Sequence, residues 1–132
     1  MREIKFRGIS EEGNKWVFGD LFHGVTYISI NVTERFDNYN SIKHVVVNPE
    51  TVGQYTGLND KNGNEIYEGD ILEFSMHARE CGSVIFRDGS FMVFRNSDDC
   101  CIADFEDENG YFFEILGNIY ENTELIERKE NV

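Results

Sequence analysis

The dipeptide Asp88-Gly89, set between two apolar runs, constrains the fold of this chain more than any other feature. The runs are SVIFR at 83–87 and SFMVF at 90–94. Asp-Gly between alternating apolar residues is typical of a two-residue type I′ turn, so residues 82–95 are predicted to form a β-hairpin. The register of this turn predicts four cross-strand pairs: Phe86 with Phe91, Val84 with Val93, Ile85 with Met92, and Ser83 with Phe94.

Both faces of the predicted hairpin are apolar. An antiparallel hairpin of this kind lies either at the centre of a barrel or partly buried against a second subunit. Ile85, Met92 and Phe94 are therefore predicted to form a self-association surface.

Short segments of β-branched and aromatic residues recur along the rest of the chain, which predicts a mainly β fold of the β-rich α+β kind. Strands are predicted at 2–7, 15–24, 25–32, 44–48, 71–74 and 111–119. Gly24 separates the second and third of these, which predicts an N-terminal hairpin region. Pro49 ends the fourth, because proline cannot donate a hydrogen bond to a sheet.

Other segments lack strand character. Residues 37–41 and 98–109 are polar and predicted as loops. The tail at 121–130 has a helix-forming composition, with Asn122 or Thr123 as the cap. Its apolar content is small, so any helix there is predicted to be short.

Turn-forming residues are densest between residues 53 and 70, where glycines alternate with Asn and Asp. Asn62-Gly63 is a favoured dipeptide for backbone with positive φ. The chain is predicted to be one compact unit, 1–132, with a possible subdivision into 1–57 and 65–127.

The charge excludes one function class. The chain has 12 Lys and Arg against 25 Asp and Glu, a net charge of −13, and no basic cluster. Binding to a phosphate backbone requires a basic surface, so direct nucleic-acid binding is not expected. Two interpretations stay open: the charge keeps the protein soluble, or the acidic surface imitates nucleic acid.

Cysteine usage and the termini predict a cytoplasmic protein. Cys81, Cys100 and Cys101 are an odd number without a disulfide framework, so reduced thiols are expected. Residues 1–8 lack the apolar region of a signal peptide, and no run approaches 18 apolar residues. No membrane association is predicted.

The spacing of the candidate residues does not match the known motifs for catalysis or metal binding. No nucleophile motif places a base beside a Ser or Cys. Zinc would have to use His77, Cys81, Cys100 and Cys101, but adjacent cysteines point to opposite faces of a strand. A calcium loop through Asp60 and Gly63 would place Gly69 at the twelfth position, which offers no carboxylate. No catalytic residue, metal or cofactor is predicted.

Three blocks of the sequence closely resemble the YopX family, whose members are encoded by bacteriophages and prophages. The longest is QYTGLNDKNGNEIYEGDI at 54–71; the others are MREIKFRG at 1–8 and LGNIYENTELIE at 116–127. The resemblance implies a small β-rich fold, an SH3-like barrel after residue 68, self-association, and expression in a bacterial host cell. It carries no established activity and no catalytic residues.

The first hypothesis is therefore that the protein is a non-catalytic interaction or assembly protein. Tyr55, Thr56 and Tyr67 are its predicted binding residues. The partner would be a second copy of the chain or a host protein. The alternatives are an acidic protein that imitates nucleic acid to occupy a host nuclease or DNA-binding protein, and a protein that sequesters a small molecule such as a nucleotide.

Overall fold

The computed structural model of the 132-residue chain describes residues 3–74, 80–95, 101–104 and 113–125. Its strands pair antiparallel in two sheets, which confirms the mainly β prediction. The chain divides into two compact units, Met1–Tyr55 and Thr56–Val132. No helix in the described part of the chain is long and apolar enough to cross a membrane.

The N-terminal unit is an antiparallel sheet. Its strands are β1 (Phe6–Ile9), β2 (Trp16–His23), β3 (Ile28–Arg35), β4 (Asn40–Val47) and the start of β5 (Gly53–Asn59), with a 3₁₀ turn at Pro49–Thr51. The order is β4-β3-β2-β1-β5. The β2–β3 hairpin predicted from the sequence is confirmed.

The end of β1 also closes onto the end of β4. Ser10 pairs with Val47, the Glu11 N–H donates to the Val46 carbonyl at 3.0 Å, and the Asn48 N–H donates to the Ile9 carbonyl at 2.9 Å. Val47 is fully buried by this closure. The unit therefore has an interior in spite of its small size.

Two boundaries predicted from the sequence in this unit are wrong. β4 begins at Asn40, inside the predicted loop 37–41, because Asn40 pairs with Arg35 across the hairpin. β1 begins at Phe6 rather than at residue 2 and continues to Ile9. In both cases a neighbouring strand, rather than local composition, sets the limit.

The C-terminal unit contains the end of β5, β6 (Glu65–Tyr67), β7 (Asp70–Phe74), β8 (Glu80–Arg87), β9 (Ser90–Arg95), β10 (Cys101–Asp104) and β11 (Phe113–Asn118). The last five form a sheet of order β10-β9-β8-β7-β11. Its core consists of Ile66, Leu72, Phe74, Val84, Phe91, Val93 and Phe113. The SH3-like character of this unit stays a prediction.

The hairpin predicted around Asp88-Gly89 is confirmed in every pair. Both turn residues have positive φ, 54° at Asp88 and 85° at Gly89, as a type I′ turn requires. The pairs put Val84 and Val93 on the buried face and Ile85 and Met92 on the other.

The loop predicted at 98–109 is wrong where β10 forms, because Cys101 pairs with Phe94 of β9. The rest of that loop, residues 98–100 and 105–109, lies outside the described residues, as do the zinc candidates His77 and Cys100. In the tail, helical conformation begins at Thr123 and reaches the last described residue, 125. The remainder of the predicted helix, 126–130, is outside the described residues.

Candidate functional site

The three residues predicted to bind a partner lie in the protein interior. Tyr55, Thr56 and Tyr67 are 7%, 6% and 2% exposed. The Thr56 hydroxyl donates to the Ile66 carbonyl at 2.9 Å, and the Tyr67 hydroxyl donates to Oε1 of Glu65 at 2.9 Å. These contacts give the side chains a structural role, and ligand binding by them stays a prediction.

The predicted self-association surface is partly covered. Ile85 and Met92 are half-buried neighbours on β8 and β9. Phe94 is 8% exposed, and the Arg87 guanidinium lies 4.2 Å from the centre of its ring. Self-association through these three side chains stays a prediction.

The turn-rich segment is organised by the buried carboxylate of Asp60. Its Oδ1 accepts hydrogen bonds from the backbone N–H groups of Asn62 and Asn64, both at 2.9 Å. Its Oδ2 accepts from the backbone N–H of Ile115 in β11 at 3.1 Å. Both oxygens therefore hold backbone donors, which is a structural use of the Asp-x-Asn-Gly pattern.

Two asparagines organise the closing block at 116–127 in the same way. Oδ1 of Asn118 accepts from the backbone N–H groups of Tyr120 and Glu121, at 3.0 and 2.9 Å. Oδ1 of Asn122 accepts from the backbone N–H of Asn118 at 3.0 Å. A Cβ on Gly117 would lie 2.5 Å from that Asn122 oxygen, so alanine there would displace the Asn122 side chain from its hydrogen bond to Asn118.

Backbone hydrogen bonds join the turn-rich segment to the rest of the C-terminal unit. The Gly69 N–H donates to the Val84 carbonyl at 3.0 Å, and the Gly69 carbonyl accepts from Ile119 at 2.9 Å. The Lys61 N–H donates to the Phe113 carbonyl at 2.9 Å. The segment at 56–71 and the closing block at 116–127 are therefore parts of the framework of this unit.

A different surface stands out in the N-terminal unit, which we call the apolar face. It consists of Phe18 and Phe22 on β2 and Ile42 and Val46 on β4, which are 45%, 47%, 61% and 36% exposed. Strand register places them on one side of the sheet, since Phe22 and Val46 both pair with Ser29. Ser29 is completely buried between them.

A polar row crosses the apolar face. Asp20, Asn31 and His44 are successive cross-strand neighbours on β2, β3 and β4. Nδ1 of His44 lies 2.7 Å from Oδ1 of Asn31, so the ring donates to the amide oxygen through this nitrogen.

Exposed aromatic rings also lie at the ends of two hairpins in this unit. Phe36 and Tyr39 stack at the end of the β3–β4 hairpin, with ring centres 4.8 Å apart, and are 48% and 62% exposed. Phe22 and Tyr27 meet near the β2–β3 turn at 6.2 Å. Exposed rings offer large contact areas at low entropic cost, which suits protein recognition.

The apolar face was not predicted from the sequence. Its signal was present in β2, where Trp16, Phe18 and Phe22 recur at even spacing on one side of the strand. Leu21 occupies the opposite side, so both faces looked apolar and the exposed one could not be chosen without the sheet. In the described residues, no group of three or more His, Cys, Asp or Glu could hold a metal ion.

The comparisons with known proteins agree with this fold. The family model described as YopX protein matches residues 5–127. The crystal structure of protein EF1440 from Enterococcus faecalis is similar, with a TM-score of 0.60 and 24% identity over 96% of this chain and 99% of that chain. No curated protein matches the sequence. The structural likeness, at this identity, concerns the fold, and the family match covers nearly the whole chain. The chain therefore belongs to the YopX family.

Proposed function

We propose that this protein is a non-catalytic interaction protein of phage or prophage origin whose N-terminal unit carries the partner-binding surface. The observation that carries the proposal is the uneven exposure of large apolar side chains. Eleven are exposed among the described residues, and nine of them lie between Ile4 and Val46. Such concentration on one small unit is typical of a protein–protein contact surface.

The charge distribution supports the same unit. Residues 1–55 contain six Lys and Arg and seven Asp and Glu, a net charge of −1. A nearly neutral surface with exposed rings loses little electrostatic hydration when a partner covers it. The partner is a second copy of the chain or a host protein.

The test compares Phe22→Ser with Phe86→Ser, since the two rings are 47% and 51% exposed on different units. Each variant and the unchanged protein are examined by light scattering after size-exclusion chromatography and by affinity capture from a bacterial lysate. We expect Phe22→Ser to lose the assembly or the captured partner and Phe86→Ser to keep it. Equal behaviour of both variants would contradict the proposal.

The C-terminal unit favours a second candidate function, imitation of nucleic acid. Residues 56–132 contain six Lys and Arg against 18 Asp and Glu, a net charge of −12, so almost the whole charge lies there. A host nuclease or DNA-binding protein would then be bound through its basic surface. Capture repeated at low and high salt tests this: nucleic-acid-binding proteins held only at low salt support it, and their absence at low salt argues against it.

A further inference from the structure

The outer edge of β4 presents backbone hydrogen-bonding groups to solvent. In an antiparallel ladder, successive residues alternate between groups that bond the partner strand and groups that point the other way. Val46 and Asn48 bond to Glu11 and Ile9 rather than to β3, so the even-numbered residues of β4 point their groups outward. At the hairpin end the Phe36 N–H donates to the Tyr39 carbonyl at 2.8 Å, so the odd-numbered residues that follow Tyr39 bond to β3. The even-numbered residues again point their groups outward.

Three residues of β4 therefore direct their N–H and C=O groups away from the sheet: Asn40, Ile42 and His44. In the described ranges no residue bonds to these outward groups, and β4 is the last strand of its sheet. They span about 13 Å, enough for an added strand of five residues. The end of β1 pairs antiparallel with the next positions along this edge, at 46–48. An added strand at 40–44 would pair in the same way.

The side chains of β4 include a positive charge and no negative charge. The strand reads NSIKHVVV and contains no Asp or Glu, in a chain that has 25. Lys43 and His44 are exposed, and Ile42 is 61% exposed. Because adjacent residues of a strand face opposite sides, Ile42 and Lys43 offer an apolar contact on one face and a positive charge on the other.

We propose that this edge receives an extended segment of a partner protein, with an apolar residue beside Ile42 and a carboxylate beside Lys43. Backbone bonds to the outward groups supply affinity, and the two side chains select an apolar–acidic pair in the added strand. The inference rests on the proposed function, since it names the chemistry of the partner.

Lysine on an edge strand also serves to discourage pairing between sheets. A proline, a bulge or a covering segment are the other devices that protect an edge. The register of β4 with β3 is continuous from Asn40 to Val47, without a bulge and without proline. The exposed Ile42 at the centre of the free edge adds an apolar contact that protection alone does not require.

The probes are two seven-residue peptides with blocked ends, one alternating Val with Glu and the other alternating Val with Lys. Binding is measured by fluorescence anisotropy, and the site by NMR chemical shifts of residues 40–44. The Glu peptide should bind at least about fivefold tighter than the Lys peptide. The net charge of −13 alone predicts the opposite preference, so the result separates a local site from bulk attraction.

Two variants make the assignment specific. Ile42→Pro removes one outward N–H while leaving the bonds to β3 intact, and should abolish binding. Lys43→Glu should reverse the preference in favour of the Lys peptide while the NMR shifts stay confined to residues 40–44 of the folded protein, which neither an unfolded variant nor bulk attraction would show.

Equal binding of both peptides, or shifts elsewhere than residues 40–44, would overturn the inference. Shifts at 40–44 that depend on protein concentration without peptide would also overturn it, because a second copy would then be the occupant. If the peptides fail while Phe22→Ser still loses its partner, the proposed function stands and the edge is excluded. If the peptides bind at 40–44 and Phe22→Ser changes nothing, the apolar face is excluded instead.

Discussion

Oδ2 of Asp60 accepts a hydrogen bond from the backbone N–H of Ile115 at 3.1 Å, across 55 positions of sequence. The same carboxylate holds the turn at 60–64 through its other oxygen. One side chain thus fixes both a local turn and the last strand of the sheet, and it is only 5% exposed.

Asp60→Asn should destabilise the protein by about 1–3 kcal/mol. The amide NH₂ would replace one of the two carboxylate oxygens, and it cannot accept the backbone hydrogen bond that this oxygen accepts. The measurement is urea unfolding followed by circular dichroism. Asp88→Asn is the control, since it also removes a carboxylate from a turn, but from an exposed one. The control should change stability by less than about 0.5 kcal/mol; equal effects of the two variants would refute the structural role of Asp60.

Gly117→Ala should destabilise the protein by about 1–3 kcal/mol, because the new Cβ would lie 2.5 Å from Oδ1 of Asn122. Asn122→Ala removes that oxygen. In the double variant the cost of alanine at 117 should therefore be much smaller, and the two effects should not add. A double-mutant cycle by urea unfolding measures this, and strict additivity would show that the clash is relieved elsewhere.

Arg7→Lys should lower stability by about 1–2 kcal/mol, because the Arg7 guanidinium lies 4.4 Å from the centre of the Trp16 ring and lysine cannot stack in the same way. Trp16 is the single tryptophan of the chain, so its emission reports on this contact directly. We expect a shift of the emission in the folded protein. Arg35→Lys, at an exposed position, is the control and should leave both properties unchanged.

The two sides of the N-terminal sheet should respond differently to truncation. Ile30 is completely buried, so Ile30→Ala should cost about 2–4 kcal/mol. The Phe22 ring is 47% exposed, so Phe22→Ser removes only a partly buried apolar surface. It should therefore lower the free energy of unfolding by less than about 1.5 kcal/mol. Thermal unfolding of both variants checks this, and a larger loss from Phe22→Ser would mean that the apolar face maintains the fold.

Local patterns predicted the elements that local chemistry controls. Asp88-Gly89 fixed a turn with positive φ, and the register of β8 with β9 followed from it residue by residue. β10 could not be predicted, because Cys101–Asp104 form a strand by pairing with β9 and not through their own composition.

The candidate site was harder to predict than the fold. The spacing around Asp60 indicates a turn, but nothing local indicates Ile115 as the third donor. Likewise, Phe18 and Ile42 share a face only because β3 lies between their strands in a particular register. Exposure is a property of the assembled sheet, and a strand with apolar residues on both sides does not reveal which side stays open.

The distance in sequence between Asp60 and Ile115 affects how the protein emerges from the ribosome. At about 5–20 residues per second, the 55 positions between them take roughly 3–11 s to synthesise. During that interval the nascent turn lacks its third donor and β7 lacks its β11 neighbour. The C-terminal unit therefore completes its fold only after β11 has been synthesised, and until then the edge of β7 that pairs with β11 is open to a chaperone or to a neighbouring nascent chain.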